Sequence, residues 1–167
     1  MLQSTVLVPG WVWLSMLLSV WRTMLGLWLT SVLLVISLPW SNFDATPHWK
    51  NIQWIPFTHL SLHPTVLIGA GLNLLAFIPV GYLTIRSLSP RNKHPFLLAI
   101  LLGFCSSVSI EVYQLFCHAR VPSTSDILMN VTGTAVGVWL AFAIDQVLAF
   151  CTIRIRRLSA SDRIPSA

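Results

Sequence analysis

Four long stretches of this chain carry at most one charged side chain each, and they dictate what it can fold into. Thr23 to Phe43 and Val66 to Ile85 contain no charge, Phe96 to Cys117 contains only Glu111, and Ile127 to Cys151 contains only Asp145. A helix needs roughly 20 mostly apolar residues to cross about 30 Å of hydrocarbon. Backbone facing lipid must satisfy its own hydrogen bonds, so each stretch is expected to be a helix. The expected fold is all-α: a polytopic membrane protein built as a bundle of four transmembrane helices, spanning about 23–43, 66–86, 96–117 and 127–151.

Composition closes the main alternative. Charged residues make up 9% of the 167, against roughly 25% in a soluble domain that must cover its surface with them. The net charge of +5 does not point to nucleic acid, because the basic residues follow apolar runs instead of interleaving with aromatics on a polar face. Cys105, Cys117 and Cys151 form no CxxC pair and no disulfide framework.

The N-terminus is ambiguous. Leu2 to Trp21 is also apolar, but Pro9-Gly10 interrupts it and only Arg22 separates it from the next run. One residue cannot turn a helical hairpin, so 1–22 reads as an interfacial lead-in or as an extension of the first helix, with tryptophans suited to the headgroup zone. It lacks the basic n-region and small-residue cleavage site of a secretory signal. Residues 23–153 then form the transmembrane domain and 154–167 a basic cytoplasmic tail.

Orientation follows from Lys and Arg placement. One side of a four-span chain receives Arg22, Arg86, Arg91, Lys93, Arg154, Arg156, Arg157 and Arg163, and the other only Lys50 and Arg120. Both termini and the Arg86–Lys93 loop are therefore expected inside, and the Asp44–Thr65 and His118–Asp126 loops outside.

Carboxylates and amides inside such spans are costly, which makes them functional candidates. Glu111 lies about 9 Å below the outer end of the third helix, and Gln114 and His118 continue its face outward. Asn73 in the second helix falls at similar depth, Asn130 lies one turn inside the fourth with Asp126 on the same face, and Arg120 stands in the short loop between. A polar pocket in the outer half of the bundle is the expectation, with Asn73, Glu111, Gln114, Arg120, Asp126 and Asn130 as ligand-binding candidates. The competing reading is that the amides and Glu111 bond across helices only to fix packing. Gly133 and Gly137 are spaced as G-x-x-x-G, Gly69 with Asn73 makes a weaker counterpart, and Pro79 is expected to kink the second helix.

Lesser signals are weighed beside these. His59 and His63, with His48 as a third, have ligand-like spacing but no nearby carboxylate, so no metal or other cofactor is expected. Ser107 sits one turn before Glu111, but no base and orienter accompany it as they would a nucleophile. Asp145 reads as an interface residue within reach of water or Arg154.

Taken in order, these residues form a pattern. Asn73-x-x-x-Phe77-x-Pro79-x-Gly81, then Ser107-x-x-Ile110-Glu111-x-x-Gln114, then Arg120 followed by Asp126-x-x-x-Asn130-x-x-Gly133, resemble the motif helices of VanZ-like membrane proteins. Ile55-Pro56-Phe57 is similar to that family's "IPF" element before the second span. The resemblance runs from roughly Ile52 to Phe142. Gln53-Trp54 replace the more usual Asn-Leu, and the Trp-rich N-terminus has no clear counterpart among these motifs.

The family takes its name from a protein associated with resistance to the lipoglycopeptide teicoplanin. The resemblance thus implies a multi-pass protein of the bacterial plasma membrane with a cell-envelope role. Its partners would be membrane lipids and a lipid-linked or amphiphilic ligand on the outer side, bound without catalysis. Two alternatives stand beside this: a membrane enzyme with Glu111 and Asp126 as acid and base, and a small transporter subunit that acts as an oligomer.

Overall fold

The computed structural model describes residues 10–37, 43–57, 64–117 and 121–161. Among them the chain is all-α, with helices α1 (Gly10–Ser37), α2 (Pro64–Ser87), α3 (Pro95–Gln114) and α4 (Thr124–Ser161), a 3-10 turn at Trp49–Asn51, and no β-strand. Each of the four helices is long and apolar enough to cross a membrane. Their outward faces carry Leu27, Val35, Leu72, Val147 and Trp139, all more than half exposed. Such a surface is stable only against lipid, so the chain is a multi-pass membrane protein.

Local sequence sets the helix starts. Pro64 and Pro95 open α2 and α3 at the first position, where the missing N–H costs nothing. At the other end of α2, Pro90 follows two residues after the Leu88 N–H bonds back to the Thr84 carbonyl (3.2 Å). The helix ends differ from the uncharged runs at two places. α1 begins after Pro9 and runs without a break through Arg22 to Ser37, because one charged side chain does not interrupt a helical hydrogen-bond ladder. α4 continues past Arg154 to Ser161, since no Gly or Pro occurs there to stop it.

Three glycines fix how α2 and α4 meet. A methyl group on Gly133 would overlap the Leu74 carbonyl, one on Gly137 the Ile78 carbonyl, and one on Gly81 the Thr134 carbonyl. Backbone therefore rests on backbone along the whole seam, which α-helices reach only through residues without a side chain. Gly69 is not part of it: nothing lies within 4 Å of the position a Cβ would take there. The counterpart of Gly133 and Gly137 on α2 is Gly81, three turns further along.

α1 lies against α2 and closes the core. Val32 packs with Phe77, Val80 and Ile110, and Leu29 and Ala76 line the same cluster. The Trp28 indole N–H donates to the Ala76 carbonyl (2.9 Å). That carbonyl lies three residues before Pro79, where the ring disturbs the local ladder. Arg22 Nε donates to the Ser87 carbonyl at the end of α2 (3.2 Å). This register sets Arg22 level with the last residue of α2 and carries Gly10–Trp21 about 18 Å beyond it.

The same end of the bundle holds the one ion pair found among the described residues. Arg86 meets Asp145 at 2.6 Å, donates to the Ala141 carbonyl (3.2 Å), and lies over the Tyr82 ring at 5.1 Å. Asp145 thus pairs across to α2 and not along its own helix to Arg154. The contact explains how Arg86 at the end of α2 and Asp145 within α4 are accommodated in apolar helices: each neutralises the other.

Candidate functional site

The opposite end, where α3 turns into α4, is where the sequence places its polar residues. The segment 43–57 folds over it. The Asp44 and His48 N–H groups donate to the Phe116 and Leu115 carbonyls (2.7 and 3.0 Å), satisfying acceptors that the end of α3 leaves open. The Gln53 N–H donates to the Pro122 carbonyl (3.0 Å), and the Thr124 N–H returns a bond to the Gln53 carbonyl (3.1 Å). The Thr124 hydroxyl reaches the Gln53 and Trp54 carbonyls (3.0 and 2.9 Å). Phe57 holds a left-handed backbone (φ 62°), and its N–H is fixed on Ser125 Oγ (2.8 Å). Phe43 stacks on Tyr113 and Phe116 with ring centroids 5.9 and 6.0 Å apart. Trp49, Trp54, Ile55 and Phe57 remain exposed, a composition suited to the headgroup zone of a bilayer.

Beneath this cover, α3 and α4 face each other through three polar steps. At the top, Glu111 accepts the Ser123 N–H at 2.7 Å in a buried setting. Ser123 is the N-cap of α4: its Oγ accepts the Ser125 N–H (3.1 Å) and its carbonyl the Asp126 N–H (3.1 Å). In a capping box the N-cap N–H is taken by a carboxylate three residues on; here the carboxylate comes from the preceding helix. Glu111 thereby sets a negative charge against the positive end of the α4 dipole.

One turn deeper on α3, Ser107 Oγ accepts a hydrogen bond from Asn130 Nδ2 (2.8 Å, buried). One turn deeper again, the Thr134 side chain fills the notch left by Gly103, and its hydroxyl donates to the Asn130 carbonyl (3.0 Å).

The middle step is incomplete. Asn130 is 1% exposed, and among the described residues its Oδ1 has no hydrogen-bond partner. Among the described residues, the Ser107 side chain has only the bond it accepts from Asn130, so its own proton is unassigned. Turning the amide over does not complete the set. Ser107 would then donate to Oδ1 and Nδ2 would become the orphan. Buried polar atoms are nearly always paired, and leaving one unmade costs about 1–3 kcal/mol.

The structure places Glu111 and Asn130 on facing helices, Glu111 bonded to Ser123 and Asn130 bonded to Ser107, one turn deeper on α3. Gln114, the last residue of α3, is buried just outside Glu111. Asp126 lies half-buried in the first turn of α4. Both carboxylates, Glu111 and Asp126, are engaged in further interactions, so neither is a free charge. Asn73 is half-buried on α2 beside Leu74, whose carbonyl faces Gly133. Arg120 lies outside the described residues, as do His118, His59 and His63. No group of three or more metal-ligating side chains is found among the described residues.

Ser123 and Thr134 were not singled out from the sequence. Ser123 had a readable signal, since Ser123-Thr124-Ser125-Asp126 before an apolar run is a capping pattern. Thr134 had none, because its role depends on Gly103 of another helix. Ser107 departs from the usual behaviour of serine in a span: it accepts from a neighbouring helix instead of bonding its own backbone.

No curated protein and no solved structure matches the chain. A model of the VanZ/LLP1 family matches residues 11–146. The match begins at Trp11, so it takes in the Trp-rich start of α1 that had no counterpart among the motifs, and it runs through the ion-pairing Asp145. With four membrane-length helices and this match over most of its length, the chain belongs to the VanZ/LLP1 family.

Proposed function

We propose that this is a cell-envelope protein of the bacterial plasma membrane, with both termini cytoplasmic and the α3–α4 end facing outward. There it binds the headgroup of a lipid-linked or amphiphilic molecule. Glu111, Gln114, Asp126, Asn130 and Asn73 line the site, and Arg120 meets an anionic part of the ligand further out. The observation that carries this reading is the unpartnered amide oxygen of Asn130 at 1% exposure. Packing glue is selected to be satisfied, and a half-satisfied buried amide is costlier than an apolar residue. An atom held unpaired in that way is the mark of a site awaiting a partner.

Glu111 has a double part in this account. By holding the N-cap of α4 it fixes the height of Asn130 against Ser107, and it lines the polar step beside the ligand. The exposed aromatics of 43–57 give an amphiphile an apolar bed beside the polar step.

The test is teicoplanin and vancomycin susceptibility in a sensitive Gram-positive host expressing wild type, Asn130→Ala, Glu111→Gln or Arg120→Ala at matched membrane levels. The expected result is a selective rise in teicoplanin tolerance with wild type that disappears in the variants. Unchanged susceptibility with well-inserted wild-type protein would sink the link to glycopeptide resistance.

A further inference from the structure

The unfinished step between Ser107 and Asn130 selects the chemistry of its guest. As arranged, the site offers an acceptor, Asn130 Oδ1, and an unassigned donor, the Ser107 hydroxyl. With the amide turned over, the site offers a donor, Asn130 Nδ2, instead. A guest hydroxyl satisfies both arrangements, because it donates to Oδ1 and accepts from Ser107 in the first and accepts from Nδ2 in the second. A phosphate oxygen serves only the second, since it has no proton to give. An ammonium serves only the first, since it has no lone pair to offer.

We propose that this site takes a hydroxyl of a lipid headgroup, from the glycerol or sugar part of a polyol lipid, at Asn130 and Ser107. The proposal rests on the headgroup-binding reading above and names its ligand class. Asn130 lies six positions inside Thr124, about 9 Å from the start of α4, so a headgroup enters from the α3–α4 end with its phosphate, where it has one, left further out.

The experiment uses the full chain in nanodiscs of phosphatidylcholine doped with one lipid at a time. The arms are phosphatidylglycerol against phosphatidic acid, and diglucosyldiacylglycerol against diacylglycerol, read as the shift in unfolding temperature relative to phosphatidylcholine alone. Each variant is referred to its own undoped value, so lost stability cancels.

The expected result is a larger shift with the polyol member of one or both pairs. Ser107→Ala should weaken that binding about tenfold, the equivalent of one hydrogen bond, and Asn130→Ala should abolish it. A response in the first pair alone identifies glycerol as the source, and in the second pair alone a sugar. If Asn130→Ala does not fold, Ser107→Ala alone decides. Equal shifts within both pairs that still depend on Asn130 or Ser107 would overturn the hydroxyl proposal and leave headgroup binding standing. Shifts indifferent to both residues would overturn the two together, and the orphan would then be the seat of a structural water.

Discussion

Replacing Gly137 by alanine tests whether backbone contact between α2 and α4 holds the bundle together. The added Cβ would overlap the Ile78 carbonyl oxygen and would lie 2.8 Å from Tyr82 N and 2.9 Å from Ile78 C. Those last two are each at least half an ångström short of the 3.4 Å at which ordinary contact begins. All three atoms are backbone, so no side chain can turn aside and the helices must move apart.

Overpacking of this kind costs about 1–3 kcal/mol. Alanine returns up to about 1 kcal/mol through helix propensity, which leaves a net loss of about 1–2 kcal/mol. Gly69→Ala supplies the control. It gains the same propensity in α2 with nothing within 4 Å, so it should be neutral or stabilising by up to about 1 kcal/mol. The assay is steric trapping, or a dodecyl sulfate titration followed by circular dichroism, for both variants beside wild type. Gly137→Ala unfolding at the wild-type midpoint, or Gly69→Ala falling as far as Gly137→Ala, would refute the close seam.

Three further outcomes are expected. Glu111→Ala orphans the buried Ser123 N–H and should cost about 1–3 kcal/mol, whereas Glu111→Gln keeps an acceptor for that N–H and should cost less; equal losses in an unfolding titration would contradict the cross-helix cap. A double-mutant cycle of Arg86→Gln and Asp145→Asn should give a coupling below about 1 kcal/mol that shrinks with salt, because Asp145 is half exposed; coupling indifferent to salt would mean that the pair is sealed from water. In a background with Cys105, Cys117 and Cys151 replaced by serine, an impermeant maleimide should label Lys50→Cys but not Lys93→Cys in intact cells. The reverse pattern would invert the orientation read from the basic residues.

How far the sequence carried can be judged from single residues. The four helices were legible because an uncharged run of membrane length has one stable conformation in lipid. Their ends were not, because an end depends on caps and on what the next residues permit. Arg22 looks like a boundary in the sequence, yet it lies inside α1, and the Ser87 carbonyl, 65 positions away, receives its guanidinium. Glu111 and Asn130 were legible as polar residues out of place in an apolar run.

Their partners were harder to see. Whether Glu111 meets Asp126, Arg120 or the N–H of Ser123 depends on the relative height of two helices, which spacing alone does not set. The same limit explains the glycines. Gly133-x-x-x-Gly137 could be read from one helix, but pairing it with Gly81 and not with Gly69 requires the register of two. Asp145 read from its own helix had only water or Arg154 within reach, and the α2–α4 seam brings Arg86 to it instead.

The central claim is that the end of α3 and α4 holds a headgroup at Asn130. The most direct measurement is native mass spectrometry of the protein released from its own membrane, wild type beside Asn130→Ala. Wild type should carry one tightly retained lipid or lipid-linked molecule through the activation energies that strip bulk lipid, and Asn130→Ala should emerge bare. Retention of the same molecule by both, or by neither, would contradict the account.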